Sequence, residues 1–201
     1  MDFTTLFRLK ENLNLDKKTL AILRWIAIVG QFLAIYIVYF FLDFKFPIMA
    51  SLVIILIGSI SNLYLQFVVK AARIKDIFAG LILVYDLIQL SLLLYLTGGI
   101  SNPFSILLII PTIVSSTFLS MGTTIILGSF TFLCLFLLTI FHYPLPGIHE
   151  NAFTFPKYYL SGFFISIIIG LIFLSYFGIR FAGETKKRSE ALNKLQEIIA
   201  K

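Results

Sequence analysis

The chain has 201 residues, of which 59% carry apolar side chains and only 13% are charged, with a mean hydropathy of +0.99. A water-soluble domain carries about 25% charged residues, so the bilayer has to be the solvent and a large soluble catalytic domain is excluded. The single cysteine, Cys134, excludes an internal disulfide framework and any CxxC pair, and the net charge of +6 reads as the Lys and Arg excess of membrane-protein loops, not as a nucleic-acid surface.

Apolar runs bounded by charges or turn residues predict six crossings, over residues 24–42, 46–69, 76–96, 103–121, 122–141 and 158–177. Each is close to the roughly 20 residues that a helix needs to cross about 30 Å of hydrocarbon. The first run is too long for the apolar region of a signal peptide and no small-residue cleavage site follows it, so it belongs to the mature protein. The expected fold class is an all-α membrane protein with six transmembrane helices followed by a cytoplasmic signalling helix. Its expected parts are an N-terminal segment at 1–23, a sensory membrane domain at 24–179 and a juxtamembrane linker helix at 180–201.

Orientation follows from the cations. Arg8, Lys10, Lys17, Lys18 and Arg24 precede or open the first span, Lys70, Arg73 and Lys75 lie between the second and third, and Arg180, Lys186, Lys187, Arg188, Lys194 and Lys201 follow the sixth. Only Lys45 and Lys157 fall on the other side, so fourteen of the sixteen cations predict both termini in the cytoplasm. The stretch 141–157, with Pro144, Pro146 and Pro156 among Tyr143, Phe153 and Phe155, becomes an external interfacial loop. In the tail, Leu192, Leu195 and Ile199 step by three and then four, the seam of a short coiled coil or the apolar face of an ordinary solvated helix. The seam stops in mid-pattern at residue 201, which predicts a connection to a part beyond this chain.

Asp86 falls near the middle of the third span with Gln89 one turn later on the same face. A carboxylate at that depth costs at least a few kcal/mol unless it is neutral, paired or hydrated. The expected form is neutral and donates a hydrogen bond to Gln89 or to a neighbouring helix, with proton or ligand handling and interhelical glue both open as roles. Gln31, Asn62 and Gln66 read as glue.

The third and fourth spans are joined by Thr97-Gly98-Gly99-Ile100-Ser101-Asn102-Pro103-Phe104. Gly98 and Gly99 suit the left-handed backbone that ends a helix, Asn102 is a good N-cap, and Pro103 fits the first position of the next helix. A well-capped turn explains these four residues. What it leaves over is the setting: a helix N-terminus at the membrane interface offers unpaired N–H groups to carbonyl oxygens. A quinone head has two such oxygens, a flat ring and a tail that lives in the bilayer. Candidate donors are the backbone amides of Phe104, Ser105 and Ile106, the Asn102 amide, and the hydroxyls of Tyr95, Ser101 and Ser105, with Phe104 as a stacking face.

At these residues the chain resembles the membrane part of the RegB/PrrB-type redox-responsive sensor histidine kinases. The resemblance rests on LDKKTLAILRWIAIVGQ (15–31), on YDLIQLSLLLYLTGGISNPFSILLIIP (85–111) and on the segment after Arg180, and GGxxNPF is its most specific string. It implies a sensory domain that reports the redox state of the quinone pool, with a ubiquinone-like ligand, no metal, and the motif on Gly98, Gly99, Asn102, Pro103 and Phe104. Asp86 and Gln89 match polar positions of the family's third span. It also implies a bacterial inner membrane, a homodimer formed through the C-terminal helix, and a kinase core and response regulator as partners of the full-length protein. No phosphoacceptor segment or nucleotide-binding glycine box follows within the chain, so the chain alone is expected to catalyse nothing.

Cys134 lies inside the fifth span and reads as a packing residue. His142 and His149 could ligate haem, but two histidines in a proline-rich loop more often face water. The alternative function is a small proton-coupled carrier with Asp86 as its titrating group. A membrane-embedded enzyme is third, because the chain has no HExxH, no paired metal-binding acids and no nucleophile beside a base.

Overall fold

The computed structural model describes residues 15–41, 43–144 and 157–199. Within them the chain forms α1 (Lys17–Phe40), α2 (Ile48–Phe67), α3 (Asp76–Leu96), α4 (Ile110–Phe118), α5 (Met121–Ile140) and α6 (Lys157–Ile199). Two 3-10 segments, Gly99–Ser101 and Pro103–Ile109, lie between α3 and α4. No strand occurs among the described residues, and the one β-bridge pairs Asp16 with Arg73. Every backbone group that crosses lipid must be satisfied within its own segment, which is why this composition folds as helices.

Among the described residues five helices are long and apolar enough to cross a membrane, and a further apolar segment, Pro103–Phe118, is shorter. Its winding compensates. Seven residues at the 3-10 rise of about 2.0 Å and nine at the α rise of about 1.5 Å give roughly 27 Å, close to the thickness of the hydrocarbon. Pro111 favours this winding at its last turn, because it has no N–H to return to the Leu107 carbonyl in an α register. In the 3-10 register the Ile110 N–H serves that carbonyl instead.

α1, α2 and α3 pack together, as do α4, α5 and α6, and α3 packing on α5 joins the two groups. Leu83, Leu87, Leu94, Leu108, Leu127, Leu135 and Ile167 form the core of the second junction, and Ile28, Ile35, Ile55 and Leu93 that of the first. Between α4 and α5 the glue is small and polar: Thr112 Oγ1 pairs with Thr131 Oγ1 at 2.8 Å and Ser115 Oγ with Thr124 Oγ1 at 3.1 Å. The Asp76 carboxylate, opening α3, accepts from Ser120 N at 2.6 Å, from Ser120 Oγ at 2.8 Å and from Thr123 Oγ1, and so ties the start of α3 to the start of α5.

Two helices extend past the expected span bounds. The first helix begins at Lys17, not at Arg24, because Lys17 Nζ caps the end of α2 by donating to Gln66 O and Val69 O at 3.1 and 2.6 Å, and Lys17 N donates to Ala72 O. Arg24 is thereby carried two turns into the bundle. The residues of the expected linker helix at 180–201 continue the last span without a break: α6 runs from Lys157 to Ile199, roughly 65 Å at the α rise. Of the predicted seam, Leu192 is exposed, and the side chains of Leu195 and Ile199 lie outside the described residues. The segment 1–14 and most of the external loop, with His149, lie outside them too.

Candidate functional site

The corner between α3 and α4 is built by the residues that the sequence singles out. Gly98 and Gly99 take φ of +108° and +58°, which ends α3 and reverses the chain. Gly99 is also pressed against the end of α5, where a Cβ would lie 2.5 Å from the His142 side chain and 2.6 Å from Leu138 O. Asn102 caps the following 3-10 segment, its Oδ1 accepting from Phe104 N at 2.9 Å, and its Nδ2 donates back to Thr97 O and Thr97 Oγ1 at 3.1 and 2.8 Å. Pro103 stands at the first position, as expected.

These bonds change the donor set. Phe104 N is engaged by Asn102 Oδ1 and Ser105 N by Asn102 O; the Asn102 amide is engaged by Thr97; and the fully buried Ser105 donates its hydroxyl to Ile100 O at 3.4 Å. A 3-10 segment with a side-chain cap satisfies its own first amides, so the exposed N-terminus expected from sequence is not free for a ligand. What remains of the expected set is the part-exposed Ser101, Tyr95, 38% exposed, and the ring of Phe104, 39% exposed. Tyr95 O holds the chain after α5 by accepting from Tyr143 N at 2.9 Å, and the two tyrosine rings meet edge to face at 5.6 Å.

Beside the corner, an apolar crevice of about 300 Å³ opens between α3 and α5, lined by Ile88, Leu92, Tyr95, Cys134, Leu137 and Phe141. Cys134 is buried in its wall, the packing role expected of it. His142 sits over Gly99, with its Nδ1 2.8 Å from Tyr143 O. The 3-10 segments of the corner also pack directly on α6.

A second polar cluster lies near the middle of α3. Arg24, 4% exposed, donates its Nε to Asp86 Oδ1 and Oδ2 at 2.9 and 3.1 Å, and its Nη2 to Ser61 Oγ at 3.1 Å, with the Nη2 also 2.9 Å from Asp86 Oδ1. Asn62 lies within 3.5 Å of Nη1 and donates its own Nδ2 to Ala21 O at 3.0 Å. The guanidinium stands 5.6 Å from the centre of the Tyr85 ring. Asp86 is therefore a paired acceptor, and the expected bond to Gln89 does not form. Gln89 turns instead to Gln31 Oε1, donating at 3.2 Å, and packs so tightly on Gly58 that a Cβ there would fall 2.3 Å from its Nε2. Gln31 and Asn62 act as glue, as expected, and Gln66 accepts from Trp25 Nε1 at 3.3 Å. Arg24, Ser61 and Gly58 were missed. The available signal was an intramembrane carboxylate in want of a cation, with Arg24 set in an otherwise apolar run.

The fold and corner define a multi-pass helical membrane domain whose last helix continues as one rod beyond the apolar stretch that ends at Gly183. The chain belongs to the PilS-like transmembrane domain family, whose six-span model matches residues 10–191. It is similar to the sensor histidine kinase RegB of Cereibacter sphaeroides, 35% identical over 176 residues that make up 87% of this chain and 38% of that protein. A second RegB sequence, from a named strain of the same species, aligns with the same identity and coverage. The chain thus spans well under half the length of the curated relatives it matches. No solved structure matches it.

Proposed function

We propose that this chain is the sensory membrane part of a RegB-like sensor histidine kinase, and that it reads the redox state of a ubiquinone-like pool at the Gly98–Phe104 corner. The observation that supports the reading is the contact of this corner with α6, the helix that continues past the apolar stretch to Ile199. A lipid-soluble ring reaches the corner through the apolar crevice, stacks on Phe104 and accepts a hydrogen bond from Tyr95. Gly98, Gly99, Asn102, Pro103 and Ser105 set the backbone that presents those two side chains.

An oxidised quinone offers two acceptors, whereas the reduced form offers hydroxyl donors. Tyr95, placed to donate, binds the two forms with different affinity. Differential affinity is what shifts a conformational equilibrium, and α6 transmits the shift. The bilayer is the bacterial inner membrane with both termini cytoplasmic, α6 pairs with its copy in a homodimer, and the response regulator is the partner of the kinase core in the full-length protein.

Both Asp86 oxygens are engaged by Arg24, which leaves the carrier alternative without the free carboxylate it calls for. Binding of a short-chain ubiquinone analogue to the purified chain tests the proposal. Phe104→Ala and Tyr95→Phe should each weaken binding several-fold, and unchanged affinity in both would remove the corner as the site.

A further inference from the structure

Along the first half of α3, beginning roughly 16 Å along the helix axis from Leu96, a cleft of about 210 Å³ opens between α2 and α3. Arg24 and Ser61 contribute to its walls along with Tyr64, Val69, Phe78 and Tyr85. Tyr64 and Phe78, 58% and 41% exposed, give it an apolar, lipid-side mouth. We infer that this cleft is a second binding site, independent of the corner, for a neutral membrane-soluble molecule whose head is a flat ring bearing a carbonyl oxygen.

Three features select that chemistry. The Tyr85 hydroxyl is buried and has no hydrogen-bond partner. A buried donor left unmatched in hydrocarbon is costly, and it marks the place where an acceptor belongs. Arg24 Nη1 offers a second donor, held only by a 3.5 Å contact with Asn62 Oδ1. The charge of Arg24 is already neutralised by Asp86, so the cleft has donors but no surplus positive charge with which to hold an anion.

Shape makes the rest of the selection. Tyr64, Phe78 and Tyr85 offer aromatic faces to a ring, which pairs with them in stacked or edge-on geometry. The volume falls below the roughly 300 Å³ at which drug-sized ligand sites begin, enough for one ring whose tail lies outside among acyl chains. A phospholipid ester carbonyl would meet the donors but leave the aromatic faces unused.

Trp25, the one tryptophan of the chain, follows Arg24 in sequence and donates its Nε1 to Gln66, the residue after Leu65 of the cleft wall, close enough for a bound quinone to quench it. The probe is decylbenzoquinone, titrated into the 201-residue chain in quinone-free phosphatidylcholine nanodiscs while Trp25 fluorescence is followed. Saturable quenching is expected, and Tyr85→Phe should raise the apparent Kd roughly fivefold while the melting temperature holds or rises, because the hydroxyl it removes bonds to nothing in the empty cleft and its burial is costly. Phe104→Ala should leave this titration unaltered, which separates the cleft from the corner. Replacing half the phosphatidylcholine by phosphatidylglycerol should also leave it unaltered. Quenching that never saturates, a Kd indifferent to Tyr85→Phe, or displacement of the probe by phosphatidylglycerol would each overturn the inference, the last by assigning the cleft to an anionic lipid.

Discussion

Arg24 and Asp86, 62 residues apart in sequence, are joined by Nε bonds of 2.9 and 3.1 Å inside the three-helix group of α1, α2 and α3. An ion pair in this setting gives little net stability over a well-packed apolar pair, yet removing one partner leaves an uncompensated charge. Arg24→Met or Asp86→Leu alone should therefore cost roughly 3 kcal/mol, and the double variant should recover most of it. Melting temperatures in detergent micelles measure the cycle, and simple additivity of the two changes would contradict it.

Close approach of α2 and α3 at Gly58 makes a second prediction. A methyl group there meets the Gln89 carboxamide at 2.3 to 2.6 Å, so Gly58→Ala should displace Gln89 from Gln31 and cost about 1–3 kcal/mol. Gly162→Ala on α6, where nothing lies within 4 Å, should be neutral or stabilising by up to about 1 kcal/mol through helix propensity. Equal losses at both positions would show that Gly58 is not a contact point.

The Asn102 side chain accepts from Phe104 N and donates to Thr97, so its two ends are separable. Asn102→Asp keeps the cap acceptor and loses the donor, whereas Asn102→Ala loses both and should cost about 1 kcal/mol or more. Amide exchange at Phe104 should accelerate in the alanine variant and stay slow in the aspartate one. Fast exchange in both would make the link to Thr97 the dominant restraint.

Lys45, outside the spans, has its ammonium held above its usual value of 10.5 by the hydrogen bond to Asp43. Because the folded value is raised, the stabilisation is complete below the unfolded pKa and is lost as pH climbs through the folded one. The melting difference between the wild type and Lys45→Met should stay constant from about pH 7 to 9 and shrink only above 10.5. A difference that grows with pH would reverse the sign.

Much of this architecture was legible in the sequence. Apolar run length gave the crossings, and local chemistry gave the turn at Gly98 and Gly99 and the cap at Asn102. What escaped was tertiary. Arg24 reads as one more flanking cation until Lys17 reaches back to the end of α2 and starts the helix two turns earlier. Only then does Arg24 fall level with Asp86. The 3-10 winding of 103–109 escaped because run length carries no hydrogen-bond register, and Pro111 leaves only the Leu107 carbonyl without its α-register partner. The same winding engages the amides that the sequence offered to a ligand, and that is why the proposed site turns on Tyr95 and Phe104.

Photolabelling tests the sensory reading most directly. An azido-ubiquinone analogue, activated by light in nanodiscs that hold the wild-type chain, should label peptides bearing Tyr95, Phe104 or Phe141, and excess unlabelled quinone should suppress that labelling. Label that avoids those peptides, or that excess quinone leaves undiminished, would contradict a quinone site at this corner.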